Sequence, residues 1–252
     1  MIAIARPEHR QLFHSALPSI LLATLATLAG GLYWASAFGL TAFYPAKALL
    51  LALLVAAFLL HGLPRHHPFE FIGPANQTTL ARASLVALLA GLLGEAPDSR
   101  AVALATAVAI VAGLLDAVDG RVARHTNTAS AFGARFDMET DALFVFVLAG
   151  LAWQFGKAGA WVLLSGVLRY AFLALAMVMP SMRRPLPPSS RRKTIAALQM
   201  AALILAIAPF VTPTLSAGVA ALALLALSLS FAADIAWLAN ESRKSALQES
   251  AQ

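Results

Sequence analysis

Leu114–Phe144 reads LLDAVDGRVARHTNTASAFGARFDMETDALF and holds five of the twelve carboxylates in a chain of 252 residues, wedged between long apolar runs. Charged side chains beside a bilayer are costly and mark places where ions, protons or substrates are handled. This cluster is therefore the leading candidate for a functional centre. Asp116 and Asp119 are three positions apart, and Asp137 and Asp141 are four apart. On a helix each pair shares a face about one turn apart. Two antiparallel helices would aim all four carboxylates at one small volume, an arrangement that is unstable until cations neutralise it.

The rest of the chain has the composition of a membrane protein. It is 60% hydrophobic and 12% charged, against about 45–50% and about 25% in soluble domains. Apolar runs approaching the ~20 residues that a helix needs to cross a bilayer recur at 16–36, 46–62, 77–93, 101–118, 139–154, 160–180, 194–212 and 215–238. The expected fold is all-α, a polytopic membrane helix bundle. Arg6 and Arg10 precede the first run as in a signal peptide, but the run is too long and a second follows closely, so a retained first helix is expected. The absence of cysteine rules out a disulfide framework.

Short loops rich in Lys and Arg stay on the cytoplasmic side. With the N-terminus inside, Arg6, Arg10, Arg65, Arg121, Arg124, Arg135, the Arg183–Lys193 loop, Arg243 and Lys244 fall inside, and only Lys47, Arg100 and Lys157 fall outside. Orientation and attraction to anionic lipid thus account for the net charge of +6, and no nucleic-acid partner is called for. The carboxylate cluster falls at the cytoplasmic end of the fourth run and the start of the fifth. The chain is expected to be a multi-pass integral protein of the plasma or inner membrane.

Oxygen ligands without suitably spaced Cys or His favour hard divalent ions such as Mg²⁺, Mn²⁺ or Ca²⁺. Two such ions about 3.5–4 Å apart serve displacement at phosphorus. Gly120 and Ala123 would let a ligand approach the helix backbone, and Arg124 could balance a phosphate. Spacing alone leaves two competitors: helix caps and surface charges at a loop, or a transporter whose acids bind cations or relay protons. The acids lie at one interface on two consecutive helices rather than near the midplane, which favours an enzyme.

From Asp116 the chain spells Asp-x2-Asp-Gly-x2-Ala-Arg-x8-Gly-x3-Asp-x3-Asp, with Asp116, Asp119, Gly120, Ala123, Arg124, Gly133, Asp137 and Asp141 in register. This resembles the full signature of the CDP-alcohol phosphotransferases (CDP-alcohol phosphatidyltransferases). An Asn-x2-Thr-x2-Arg element common in that family is matched by Asn76, Thr79 and Arg82. The resemblance implies a six-helix core over about residues 70–240, preceded by residues 1–69 with two extra helices and followed by a polar tail, 241–252. It further implies that Asp116, Asp119, Asp137 and Asp141 hold two divalent cations, Mg²⁺ or Mn²⁺, with Asp141 also the general base. Gly120, Ala123 and Gly133 would lie against the cytidine nucleotide, Arg124 and Ser130 near the donor's phosphates, and Asn76 and Thr79 across the nucleotide pocket.

The implied reaction transfers a phosphatidyl group from CDP-diacylglycerol, or another CDP-linked donor, to a small alcohol with release of CMP, among membrane lipids. A homodimer is compatible with the family. The signature does not select the acceptor. Arg183, Arg184, Arg191, Arg192 and Lys193 crowd one loop, and Arg169 lies within an apolar run beside Tyr170. Because guanidinium groups suit phosphate, Arg169, Arg183 and Arg191 are the acceptor-site candidates, and a phosphorylated polyol such as glycerol 3-phosphate or inositol phosphate is favoured. A topology anchor, or an arginine snorkelling to the interface, would look the same. The alternative within the class moves a phospho-alcohol from a soluble CDP-alcohol to a lipid acceptor.

Overall fold

The computed structural model describes the backbone of residues 7–66, 68–125, 130–179 and 186–250, and the side chains of 11–63, 68–116, 130–179 and 186–242. The chain is all-α, with no strand among the described residues. In order come α1 (Pro7–Phe38), α2 (Phe43–His66), α3 (Pro74–Gly91), α4 (Ser99–His125), α5 (Ala131–Gln154), α6 (Leu164–Val178), α7 (Ser190–Ile207) and α8 (Pro213–Ser250). A short 3₁₀ turn, Ala160–Leu163, leads into α6. His66 closes α2; its side chain, and the whole of His67, lie outside the described residues.

Each helix overlaps one of the apolar runs, but the bounds differ: α1, α2, α4 and α8 extend past their runs at both ends, α3 and α7 start earlier and stop sooner, and α6 is shorter than its run. α4 continues to His125 and α5 begins at Ala131, because charged residues sustain a helix beyond the point where hydropathy stops counting. Among the described residues, α1, α2, α4, α8 and the 3₁₀ turn with α6 contain stretches long and apolar enough to cross a membrane. α3, α5 and α7 do not reach that standard. α3 carries Asn76-Gln-Thr-Thr and Arg82, α5 carries Arg135, Asp137, Glu139 and Asp141, and α7 opens with Ser-Arg-Arg-Lys.

The chain divides into two compact units, Met1–Val147 and Leu148–Gln252. In the first, α1 packs on α2 and α3, α2 on α3, and α3 on α4. Its core joins Leu12, Ala16 and Ile20 of α1, Leu59 and Leu63 of α2, Leu80 and Ala83 of α3, and Phe132 and Phe136 of α5. In the second, α7 and α8 form an antiparallel pair and α8 also touches α6. There Gln199 Nε2 donates to Ser165 Oγ at 2.9 Å and Ser216 Oγ donates to the Ala206 carbonyl at 3.0 Å.

Lipid is as apolar as leucine, so helix association in a bilayer rests on close packing and hydrogen bonds. Tyr44 supplies both. It is fully buried, stacks on Trp34 at 6.1 Å, and donates its hydroxyl to the Leu88 carbonyl at 2.9 Å. Gly91 leaves room for it, since a Cβ there would stand 2.8 Å from the Tyr44 ring.

The α1–α2 and α3–α4 loops are tied together by Glu95, whose side chain is 2% exposed. Its oxygens accept from the Thr41 N–H at 2.8 Å, the Thr41 hydroxyl at 2.7 Å and Lys47 Nζ at 2.7 Å. Lys47 also donates to the Leu93 carbonyl at 2.7 Å. Gly94 takes φ 81°, the left-handed turn that ends this helix connection. Burial pushes the Glu95 carboxyl up, but the bonds from Lys47 and Thr41 outweigh it and hold it below its ordinary value. A carboxyl depressed in the folded state stabilises fully above its unfolded pKa and loses that contribution as pH falls through the folded one. Glu95→Gln is expected to cost about 1–3 kcal/mol, seen in detergent at pH 7 as a lower unfolding temperature. The gap from wild type should narrow below about pH 4; a gap unchanged from pH 7 to pH 3 would show that shape, not charge, is what Glu95 contributes.

Candidate functional site

Three helices of the first unit bring the site together. α3 presents Asn76, Thr79 and Arg82 at three-residue intervals along one stripe. Asp116 lies on α4, and the first turns of α5 carry Gly133, Asp137 and Asp141. Arg82 is completely buried, and its guanidinium is the hub. Nη1 donates to Asp116 Oδ1 at 2.7 Å and to Asp137 Oδ1 at 3.0 Å, and Nη2 donates to Asp141 Oδ1. The planar fork of arginine suits this task, because several N–H groups project in fixed directions from one delocalised charge.

The three carboxylates offer oxygens within 4.8 Å of one another. At about 4 Å and an effective dielectric of about 20, each like-charge pair costs about 4 kcal/mol. One guanidinium offsets much of that repulsion but leaves the group two charges negative. The side chains of Asp116, Asp137 and Asp141 are 30%, 36% and 37% exposed. Arg82 therefore offsets part of their charge from the buried side while each keeps an open side. An all-oxygen, anionic, partly open donor set fits hard divalent cations. Asp119, Gly120, Ala123 and Arg124 lie on the last turns of α4, and their side chains fall outside the described residues.

The polar residues beside the hub are tied into the backbone. Asn76, buried, donates from Nδ2 to the Ile72 carbonyl at 2.6 Å. Thr79, also buried, donates to the Ala75 carbonyl at 3.1 Å. Ser130 directly precedes α5 and accepts the Gly133 N–H on its Oγ at 2.9 Å, the geometry of an N-cap. Gly133 faces Asn76 so closely that a Cβ would stand 2.8 Å from Asn76 Oδ1 and 3.2 Å from Ser130 Oγ. Glycine at that position of the signature thus allows α3 and α5 to touch.

The acceptor-site candidates belong to the second unit. Arg169 lies half-buried on α6, one turn after the buried Ser165. Arg191 is committed to α8: Nη1 donates to the Ser230 carbonyl at 2.9 Å and Oγ at 3.0 Å, and Nη2 to Asp234 Oδ1 at 2.6 Å. Arg192 also reaches Asp234, at 3.2 Å. Arg183 lies outside the described residues.

Two features escape the sequence reading. Arg82 stands in the family element, but only the fold shows what it holds; an arginine inside an apolar run was the available signal. Asp234, an acid within the last apolar run, was equally visible and is the partner that fixes the start of α7.

A family model described as CDP-alcohol phosphatidyltransferase matches residues 73–233. Searches of curated proteins and of solved structures each found no significant match. The matched stretch begins at the glycine before α3 and takes in Arg82 and every aspartate that converges on it, and with that coverage the chain belongs to the CDP-alcohol phosphatidyltransferase family, whose members transfer a substituted phosphate from a CDP-linked alcohol.

Proposed function

We propose that the chain transfers the phosphatidyl group of CDP-diacylglycerol to a small alcohol, a phosphorylated polyol being favoured, and releases CMP at the cytoplasmic face of the membrane. The observation that carries this reading is the convergence of Asp116, Asp137 and Asp141 on the buried guanidinium of Arg82, inside a family-matched chain with five apolar spans among its described residues.

Asp116, Asp119 and Asp137 would hold two divalent cations, Mg²⁺ or Mn²⁺, with Asp141 beside the second. When bound, the cations offset charge on the donor's pyrophosphate and on the departing CMP. Asp141 takes the proton of the acceptor hydroxyl as that oxygen bonds to the phosphorus on the lipid side. The bond from that phosphorus to the bridging oxygen breaks, and CMP leaves with the electron pair. Arg82 positions the carboxylates and limits their repulsion. Asn76, Thr79 and Gly133 would form the nucleotide wall; Gly120 and Ala123 are assigned to the same wall, and Arg124 with Ser130 to the phosphates, by the likeness to the family signature. Arg169, Arg183 and Arg191 are proposed as cations for a phosphorylated acceptor on the strength of their charge. Arg191, already paired with Asp234, would serve by holding α7 in place and lending net positive charge, since Arg191 and Arg192 together outweigh one carboxylate.

The purified protein in detergent with Mn²⁺ and CDP-diacylglycerol should form CMP only when an alcohol is supplied, and a panel of phosphorylated and plain alcohols should identify one acceptor. Asp141→Asn should lose roughly 10²–10⁴-fold in turnover and keep Mn²⁺ binding. No CMP with any alcohol, or full activity in Asp141→Asn, would refute the assignment.

Arg82→Gln removes the buried cation and leaves the carboxylates to repel one another. Its unfolding temperature in EDTA should fall by several degrees, consistent with a loss of about 3–5 kcal/mol, and added Mn²⁺ should recover part of the deficit. An unshifted unfolding temperature in EDTA would show that the hub does not hold the site together.

A further inference from the structure

The family match begins at residue 73, so α1 and α2 lie before it, yet between them they reach the beginnings of α3 and α5, two of the three helices that carry the site. The main contact from α1 runs through one residue, Ile72. Ser15 Oγ donates to the Leu12 carbonyl at 2.9 Å and accepts the Ile72 N–H at 3.1 Å. The carbonyl of the same Ile72 accepts Asn76 Nδ2 at 2.6 Å. Asn76 in turn abuts Gly133, whose N–H is held by Ser130. A continuous chain of hydrogen bonds and one tight contact therefore links α1 to the signature glycine of α5. Ser19 adds a second tie, accepting from Gln77 Nε2 at 3.1 Å.

The contact from α2 is aromatic. Phe58 stacks on Phe132 and Phe136, each at 6.1 Å, and these two stack on each other at 6.2 Å. Both α5 rings are 2% exposed. Gly62 lets the α2 backbone lie directly under Phe132, because a Cβ there would collide with that ring. Phe132 immediately precedes Gly133, and Phe136 immediately precedes Asp137. Seating the two rings on α2 therefore sets the rotation and height of α5, and with them the direction in which its glycine and carboxylate face.

We propose that the α1–α2 hairpin is a positioning element of the nucleotide site, with Ser15 fixing the Ile72–Asn76 turn and Gly62 with Phe58 fixing the first turns of α5. The proposal rests on the nucleotide reading of Asn76 and Gly133 given above. Dispersion and hydrogen bonding hold the hairpin in place, and small residues at contact points are how helices approach within a bilayer. Gly62 is such a point, and its partner ring is the one adjacent to the site.

The test measures CDP binding by titration calorimetry on the full chain in detergent with saturating Mn²⁺. Ser15→Ala should weaken CDP binding about fivefold, the worth of one hydrogen bond, with Mn²⁺ affinity unchanged, and Ser15→Thr should restore it. Gly62→Ala should weaken CDP binding at least as much, because its methyl would displace the Phe132 ring. Wild-type CDP affinity in Ser15→Ala, even with a lowered unfolding temperature, would make the hairpin a structural support only and overturn the proposal. Failure of Gly62→Ala to fold leaves the serine pair to decide. If wild type itself does not bind CDP, the nucleotide reading fails and the proposal falls with it.

Discussion

A buried guanidinium meeting three carboxylates is the constraint around which the first unit is organised. Arg82 has no exposed surface, and an ionised side chain so placed is tolerable only where counter-charges reach it. The counter-charges come from α4 and α5, so the three helices must converge at one level. The carboxylates are equally dependent, since they crowd within 4.8 Å and share a single buried cation. Mutual need fixes their geometry before any ligand arrives. The compensation is incomplete, and the remaining negative charge lies on the open side, where cations would be recruited.

The rest of the unit holds that convergence at three levels. At one end Glu95 joins the α1–α2 and α3–α4 loops through Thr41 and Lys47. Toward the site, Ser15, Phe58 and Gly62 reach the beginnings of α3 and α5. Between them Tyr44 wedges α2 against α3 in the space Gly91 leaves. The second unit repeats the strategy with other residues: Asp234 restrains Arg191 and Arg192, and Lys157 donates to the Val211 carbonyl.

The helices were legible because apolar length is a strong, local signal, and each run became one helix. Their ends were less so. Residues such as Arg121 and Arg135 end a hydropathy window without ending a helix. At the site, the spacing of Asp137 and Asp141 gave their shared face, and the signature gave the likeness to the family. The partner of those acids was not legible, because Arg82 and Asp141 are 59 positions apart and nothing local pairs them. The same holds for Arg191, which reads as a free cation in a basic loop and is bound to an acid 43 positions away. The aromatic seat of α5 on α2 was hidden for a further reason: Phe58, Phe132 and Phe136 look like any residues of an apolar face until the backbone approach at Gly62 is known.

The central claim is that the carboxylates gathered by Arg82 form a centre for divalent cations. Electron paramagnetic resonance of the purified chain titrated with Mn²⁺ tests it most directly. The account predicts about two bound Mn²⁺ per chain with the spin coupling of a closely spaced pair, and loss of that coupled signal in Asp137→Asn. Absence of bound Mn²⁺, or an unchanged signal in Asp137→Asn, would contradict it.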